Sequence, residues 1–280
     1  MRKYTELQAR VLTALVSALI AVPCLFIFPD VFFYVFISMV FGICAWEWGN
    51  LAGLSSFGSI FYGVALAGLI ALSILIKIPF FWIISAGLVW WGFSLYPIIV
   101  YPKLRPFWSK TLPLVLVGTI VLVPSFFAIL ALKSHQIANA LILSLLVFVW
   151  GADTGAFFIG KLMRGTKLCP RVSPGKTWSG LLGGAIVVFV LSLLVFTLFD
   201  EIHAWFRDSY FFVLFALLVA AVSVLGDLTV SMFKRSRQIK DTGRLLPGHG
   251  GFLDRLDSLL SASCVFAIFV SLMQPYSAAV

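Results

Sequence analysis

Residues 231–257 read Ser-Met-Phe-Lys-Arg-Ser-Arg-Gln-Ile-Lys-Asp-Thr-Gly-Arg-Leu-Leu-Pro-Gly-His-Gly-Gly-Phe-Leu-Asp-Arg-Leu-Asp, and hold six basic residues, three aspartates, four glycines and one of the chain's three histidines. Carboxylates next to lysines and arginines suit metal-assisted chemistry on phosphate: oxygen ligands for a hard cation, positive charge for the anion. Asp254 and Asp257 are three apart and so share a helix face, at an N-terminus where negative charge is favoured. Capping by Asp254 would account for one carboxylate, but not for a second in the same turn with Asp227 just across the loop. With few thiols and no histidine pair at ligand spacing, the donor set points to Mg²⁺ and away from zinc. Mg²⁺ takes one or two protein carboxylates and completes its shell with water and substrate phosphate. Asp227 and Asp254 are the candidate ligands, with Asp257 supporting them or holding a second ion. Lys234, Arg235, Lys240 and Arg255 offer charge to a triphosphate or a lipid phosphate. Gly248, Gly250 and Gly251 lack a Cβ, so their backbone can come close to phosphate oxygens.

Two upstream segments add polar groups. Gly151-Ala152-Asp153-Thr154-Gly155 places an acid between two glycines inside an apolar run. Such an acid is a functional candidate by default, with an interhelical pair to Lys or Arg as the equal alternative; glycines four apart let a neighbouring backbone approach. Residues 167–178 include Ser173, Gly175, Lys176 and Thr177. Gly-Lys-Thr resembles a phosphate loop, but that loop needs a strand and a glycine five residues earlier. The position holds Pro170, and no strand is expected there. What remains is Ser173, Lys176 and Thr177 at the start of a helix, where free N–H groups favour an anion. Glu47, in Ala-Trp-Glu-Trp, is read first as structural, snorkelling to the interface or pairing with a basic loop.

The elements that must position these residues are membrane helices. Hydrophobic residues make up 61% of the chain and charged residues 11%, against roughly 45–50% and about 25% in soluble domains. The sequence predicts an all-α, polytopic integral membrane bundle of about nine spans, near 11–28, 31–49, 58–76, 80–100, 112–132, 138–160, 179–199, 211–231 and 257–274. The first two are separated only by Pro29-Asp30. Nine spans place 17 of the 20 Lys and Arg on one side, leaving Lys77, Lys133 and Arg207 opposite. The positive-inside rule makes the rich side, with the N-terminus, cytoplasmic. Residues 1–135 read as a scaffold for lipid or dimer contacts, and residues 136–280 carry the cytoplasmic-face catalytic loops, in a single membrane domain. The net charge of +9 is read as topology signal and attraction to anionic lipid, not as a nucleic-acid surface. Cys24, Cys44, Cys169 and Cys264 are expected to be free thiols. Ala21-Val22-Pro23-Cys24 is a poor cleavage site, so the first helix is expected to be retained.

Residues 231–257 resemble the signature of the phosphatidate cytidylyltransferases (CDP-diacylglycerol synthases) of bacterial type. Its fixed places are filled by Ser231, Lys234, Arg235, Lys240, Asp241, Gly243, Pro247, His249, Gly250, Gly251, Asp254, Arg255 and Asp257. Ala-Trp-Glu-Trp, Gly-Ala-Asp-Thr-Gly-Ala and Ser-Pro-Gly-Lys-Thr-Trp are also similar to the family. At Ser179, where many members carry Glu or Gln, the chain departs and no role carries over.

The resemblance implies transfer of the cytidylyl group from CTP to phosphatidic acid with Mg²⁺, in the bacterial cytoplasmic membrane with the active site facing the cytoplasm. It implies that Asp227 and Asp254 hold the metal pair, in which a monovalent cation such as K⁺ joins Mg²⁺, and that a homodimer forms. It draws Lys240 and Asp241 towards the site, although they could equally be a structural ion pair. His249 is expected to orient a phosphate, shuttle a proton or brace the loop. Two rivals share parts of this pattern: a CTP-dependent lipid-alcohol (polyprenol) kinase, which would release CDP, and a transporter of anionic substrates. A transporter should show repeated halves with paired broken helices, and no such repeat is visible.

Overall fold

The computed structural model describes residues 2–248 and 250–273. Helix α1 (Arg2–Val22) passes into a π-helical turn over Pro23–Ile27 and is followed by α2 (Asp30–Ala52), α3 (Ser56–Leu75) and α4 (Phe80–Ile99). Next come a short α5 (Arg105–Trp108), α6 (Thr111–Lys133) and α7 (Ala138–Met163). A hairpin of β1 (Lys167–Cys169) and β2 (Ser173–Thr177) leads into α8 (Trp178–Leu198), a short α9 (Asp200–Phe206), α10 (Ser209–Ser236) and α11 (Leu253–Met273). Among the described residues eight of these helices are long and apolar enough to cross a membrane, while the first apolar stretch, Val11–Ile27, is shorter.

The chain forms two compact units. The first comprises residues up to Lys77 with Pro106–Leu122 and Phe233–Leu256; the second comprises Ile78–Arg105, Val123–Met232 and Asp257 onward. In the first, Trp48 is fully buried, its Nε1 donates to Leu114 O at 2.7 Å, and its ring meets Phe233 edge-on at 5.9 Å. Trp108 packs on the same Phe233 at 5.4 Å. Gly118 is a glycine because a Cβ there would collide with Trp48 and with the Tyr62 hydroxyl.

In the second unit α7 and α8 lie backbone against backbone. A Cβ on Gly155 would stand 2.9 Å from Gly183 O, and one on Gly184 would stand 2.7 Å from Ala152 O. Between lipid-embedded helices, packing replaces the hydrophobic drive, and small residues permit it. Gly155 therefore admits the neighbouring backbone as the spacing predicts, while Gly151 makes room for the Leu191 side chain of α8.

The hairpin corrects the expectation that no strand precedes Lys176. Lys167 pairs with Thr177 and Cys169 with Ser173, antiparallel. The reversal is Cys169-Pro170-Arg171-Val172, closed by Val172 N–H to Cys169 O at 3.1 Å, with proline where a β-turn favours it. Strands of three and five residues containing Pro174 and Gly175 have no alternating apolar pattern to announce them.

Replacing Gly155 by Ala should lower the thermal midpoint in detergent, with an overpacking cost of about 1–3 kcal/mol. Gly92→Ala is the control, since no atom lies within 4 Å of the added Cβ. Equal midpoints for the two variants would contradict the close α7–α8 approach.

Candidate functional site

Each unit contains one of the aspartates expected to bind metal, and each aspartate faces a lysine. In the second unit Thr177 caps α8, its hydroxyl accepting from Gly180 N–H at 3.0 Å. That cap fixes the end of β2 and therefore Lys176. The Lys176 ammonium lies 2.7 Å from Asp227 Oδ2 on α10 and 3.4 Å from Val224 O. The other Asp227 oxygen accepts from the Ser231 hydroxyl one turn later, at 3.1 Å. Asp153 on α7 feels the charges of both Lys176 and Asp227 and is hydrogen-bonded by Ser258. Asp257 is buried and accepts from Ser258 N–H at 2.9 Å. Asp153, Lys176, Asp227 and Ser258 thus form one polar group at one end of α7, α10 and the hairpin. Ser173 is half-buried in the register beside Cys169.

In the first unit Lys234 Nζ lies 2.7 Å from Asp254 Oδ1, with the two side chains only 10% and 7% exposed. Asp254 Oδ2 accepts from Thr242 N–H at 2.8 Å and from Gly251 N–H at 3.0 Å. Glu47, fully buried on α2, completes the arrangement. Its Oε1 accepts from Phe252 N–H at 3.1 Å. Its Oε2 accepts from Leu253 N–H at 2.8 Å and from the Thr242 hydroxyl at 3.2 Å. The N–H groups of residues 251, 252 and 253, which a helix start leaves without intrahelical partners, are therefore all taken by carboxylates. A Cβ on Gly243 or Gly251 would run into the Glu47 carboxylate, so these glycines make room for an acid.

The remaining expected site residues fall around this core. Arg235 is half-buried and donates to Ile239 O at 3.3 Å, while Lys240, Asp241 and Arg255 are exposed. Gly250 adopts φ +86° and exchanges two backbone hydrogen bonds with Leu246, closing the turn. His249, the expected phosphate-orienting or proton-shuttling group, lies outside the described residues. Spacing does not reveal Glu47 as the partner of the signature loop, nearly 200 positions away. Nor does it reveal Arg237, whose guanidinium packs on Gly53 and donates to Ser109 O at 2.6 Å. The only signal for Glu47 is an isolated acid in an apolar segment. Ser179, where the chain departs from the resemblance, acts locally, its hydroxyl accepting from Gly165 N–H at 3.2 Å.

The donor set fits Mg²⁺. Asp227 and Asp254 offer hard carboxylate oxygens, each beside a lysine, the donor type that Mg²⁺ takes; no group of three or more His, Cys, Asp or Glu that could hold a metal occurs among the described residues. A site of one or two carboxylates completed by water and phosphate is how Mg²⁺ is usually held, and a closed protein cage is not.

The model of the cytidylyltransferase family matches residues 8–273. The chain belongs to the cytidylyltransferase family. Within it, the chain is 41% identical to a phosphatidate cytidylyltransferase of Pseudomonas aeruginosa over 263 residues, spanning 93% of this chain and 96% of that one. It is 35% identical to a phosphatidate cytidylyltransferase of Haemophilus influenzae, spanning 94% and 98%. A third such relative, from Rickettsia typhi, is 36% identical over 56% of this chain and 70% of its own.

The two ion pairs differ in burial, and that orders their mutational costs. Lys234→Met strands a buried carboxylate and should cost about 3–5 kcal/mol. Lys176→Met opens a pair whose side chains are 21% and 28% exposed and should cost about 1 kcal/mol. Denaturation midpoints in detergent measure both, and the reverse order would refute the assignment of burial. A second test uses Cys169. Burial pushes its thiol above the ordinary range, and the Lys176 ammonium opposes this less strongly. Thiolate, the reactive form, is then scarce at neutral pH. Maleimide labelling of Cys169 should keep accelerating with pH past the ordinary thiol pKa of about 8.5, where an unperturbed thiol levels off, and be slower in Lys176→Met. A labelling rate that stays flat from neutral pH upward would count against that environment.

Proposed function

We propose that the protein is a phosphatidate cytidylyltransferase of the bacterial cytoplasmic membrane, making CDP-diacylglycerol and pyrophosphate from CTP and phosphatidic acid. The observation that carries this reading is the near full-length similarity to relatives so named, on a chain in which Asp227 and Asp254 are each held by a lysine. The reaction needs no strong base, because the attacking phosphatidate oxygen is already anionic. It forms a bond to the α-phosphorus of CTP in line with the departing group. The bond from that phosphorus to the oxygen bridging it to the β-phosphorus breaks, and its electron pair leaves with pyrophosphate.

Asp227 and Asp254 are the residues that would hold Mg²⁺, with K⁺ as a second ion on the strength of the family resemblance. Bound there, the metal would neutralise charge on the phosphates. The chain's own part is positioning and charge. Lys176 and Lys234 each hold one of these aspartates at 2.7 Å, and each can move from its carboxylate to a phosphate oxygen. Arg235, Lys240 and Arg255 add positive charge for the nucleotide and the lipid headgroup. Asp153 and Asp257 brace the Lys176–Asp227 group through Ser258, and Thr177 with Ser173 orients the lysine. The basic loops support a cytoplasmic side for this chemistry by the positive-inside rule, and a homodimer is the expected assembly.

Purified protein given phosphatidic acid, Mg²⁺ and CTP labelled at the α-phosphorus should move label into lipid. Asp227→Asn and Asp254→Asn should each lower the rate on the order of 10²–10³-fold. Transfer of γ-label alone would make the protein a lipid kinase, and transfer of neither label by folded protein would reject both enzyme readings.

A further inference from the structure

Glu47 is the one fully buried acid in the described first unit, and no step of the proposed reaction uses it. It sits near the end of α2, remote in sequence from the signature loop, yet its two oxygens take three hydrogen bonds from that loop. Asp254 holds the same stretch of chain from its other side. Thr242 gives its hydroxyl to Glu47 and its N–H to Asp254. Gly251 gives its N–H to Asp254, and the next two residues give theirs to Glu47. The orientation of Asp254 is thus set by a segment whose own position is fixed by Glu47.

The alternatives for those donors are poor. Leu253 and Thr242 are buried, so water cannot easily replace the carboxylate, and a buried donor left unmet is costly. The glycines at 243 and 251 leave space only for this acid at this distance. A glutamine in its place would offer one accepting oxygen, and its amide nitrogen would confront a backbone N–H with another donor. The loop would then have to shift, carrying the Asp254 carboxylate with it while leaving the helices in place.

We infer that Glu47 is the positioning residue for Asp254: it sets the direction in which that carboxylate presents its oxygens to a divalent cation, without touching substrate itself. This rests on the reading of Asp254 as a metal ligand. Outer partners of a metal ligand typically control affinity by 10–100-fold, and Glu47 acts one hydrogen-bonded segment away from the ligand.

The test uses the full chain in detergent and Mn²⁺ alone as probe, with free ion counted by electron paramagnetic resonance and the thermal midpoint recorded for every variant. Wild type should bind Mn²⁺, and Asp254→Asn should lose that binding. Glu47→Gln should weaken it about 10–100-fold while its midpoint stays within a few degrees of wild type, and kcat should fall more than the KM for CTP changes. If Glu47→Gln lowers the midpoint but folded protein keeps wild-type Mn²⁺ affinity, Glu47 only supports the fold and the inference fails, with the metal reading intact. If Asp254→Asn binds as wild type does, or wild type binds nothing, the metal reading fails and the inference falls with it. Should Glu47→Gln not fold, Thr242→Val decides. It removes one bond to Glu47 and keeps the Thr242 N–H on Asp254, so a several-fold loss of affinity supports the inference and unchanged affinity overturns it.

Discussion

The first turn of α11 imposes the constraint on which the signature loop depends. A helix begins with N–H groups that find no partner inside it, and here three consecutive ones are placed away from easy hydration. Leaving a buried donor unmet costs roughly 1–3 kcal/mol, whereas a bond to an ionised acceptor is about twice as strong as a neutral one. Two carboxylates answer the need, Asp254 from the first turn of α11 and Glu47 from α2. Once Glu47 is committed there, residues 243 and 251 have to be glycine and residue 242 has to donate a side-chain proton. Two of the signature's glycines, Gly243 and Gly251, are therefore explained by the burial of an acid that lies outside residues 231–257. A helix start already occupied by carboxylates is not available to a phosphate.

The lysine pairs follow from the same electrostatics. Removing a carboxylate from water is costly, and a partner at 2.7 Å offsets much of that cost. An ammonium on a flexible stem is a point charge that holds a carboxylate without the two-pronged geometry of arginine. On the proposed reading, each carboxylate would pass from its lysine to a metal cation while the lysine turned to a phosphate, so the net charge of the group would change little as the two arrived together.

What is legible in the sequence follows from which signals are local. Eight of the nine expected spans appear as long apolar helices, because about 20 apolar residues in a row have few alternatives. The glycine spacing around Asp153 implies a close helix neighbour, and α8 is that neighbour. The β1–β2 hairpin escapes such a reading because it is specified by a proline turn and a helix cap, not by periodicity. The tie from Glu47 to residues 242–253 escapes it for a different reason. A buried acid and the N–H groups it satisfies share no pattern along the chain, and their pairing exists only after folding. Ser258 is invisible in the same way, since a serine in an apolar helix ordinarily bonds its own preceding turn, yet this one reaches Asp153.

Glycine serves two different physical purposes here, and confusing them changes the functional reading. Along α7 and α8 the missing Cβ lets two backbones touch where lipid offers no hydrophobic force to join helices. At Gly243 and Gly251 the space is filled by a carboxylate, and at Gly250 the need is a positive φ that closes a turn. Gly175, by contrast, has no atom within 4 Å of the place its Cβ would occupy and stands open beside Lys176. A glycine-rich basic loop invites a phosphate-cradle interpretation, yet Gly243, Gly250 and Gly251 have their reasons inside the protein. The glycines of residues 231–257 are accordingly weaker evidence for a phosphate cradle than their number suggests.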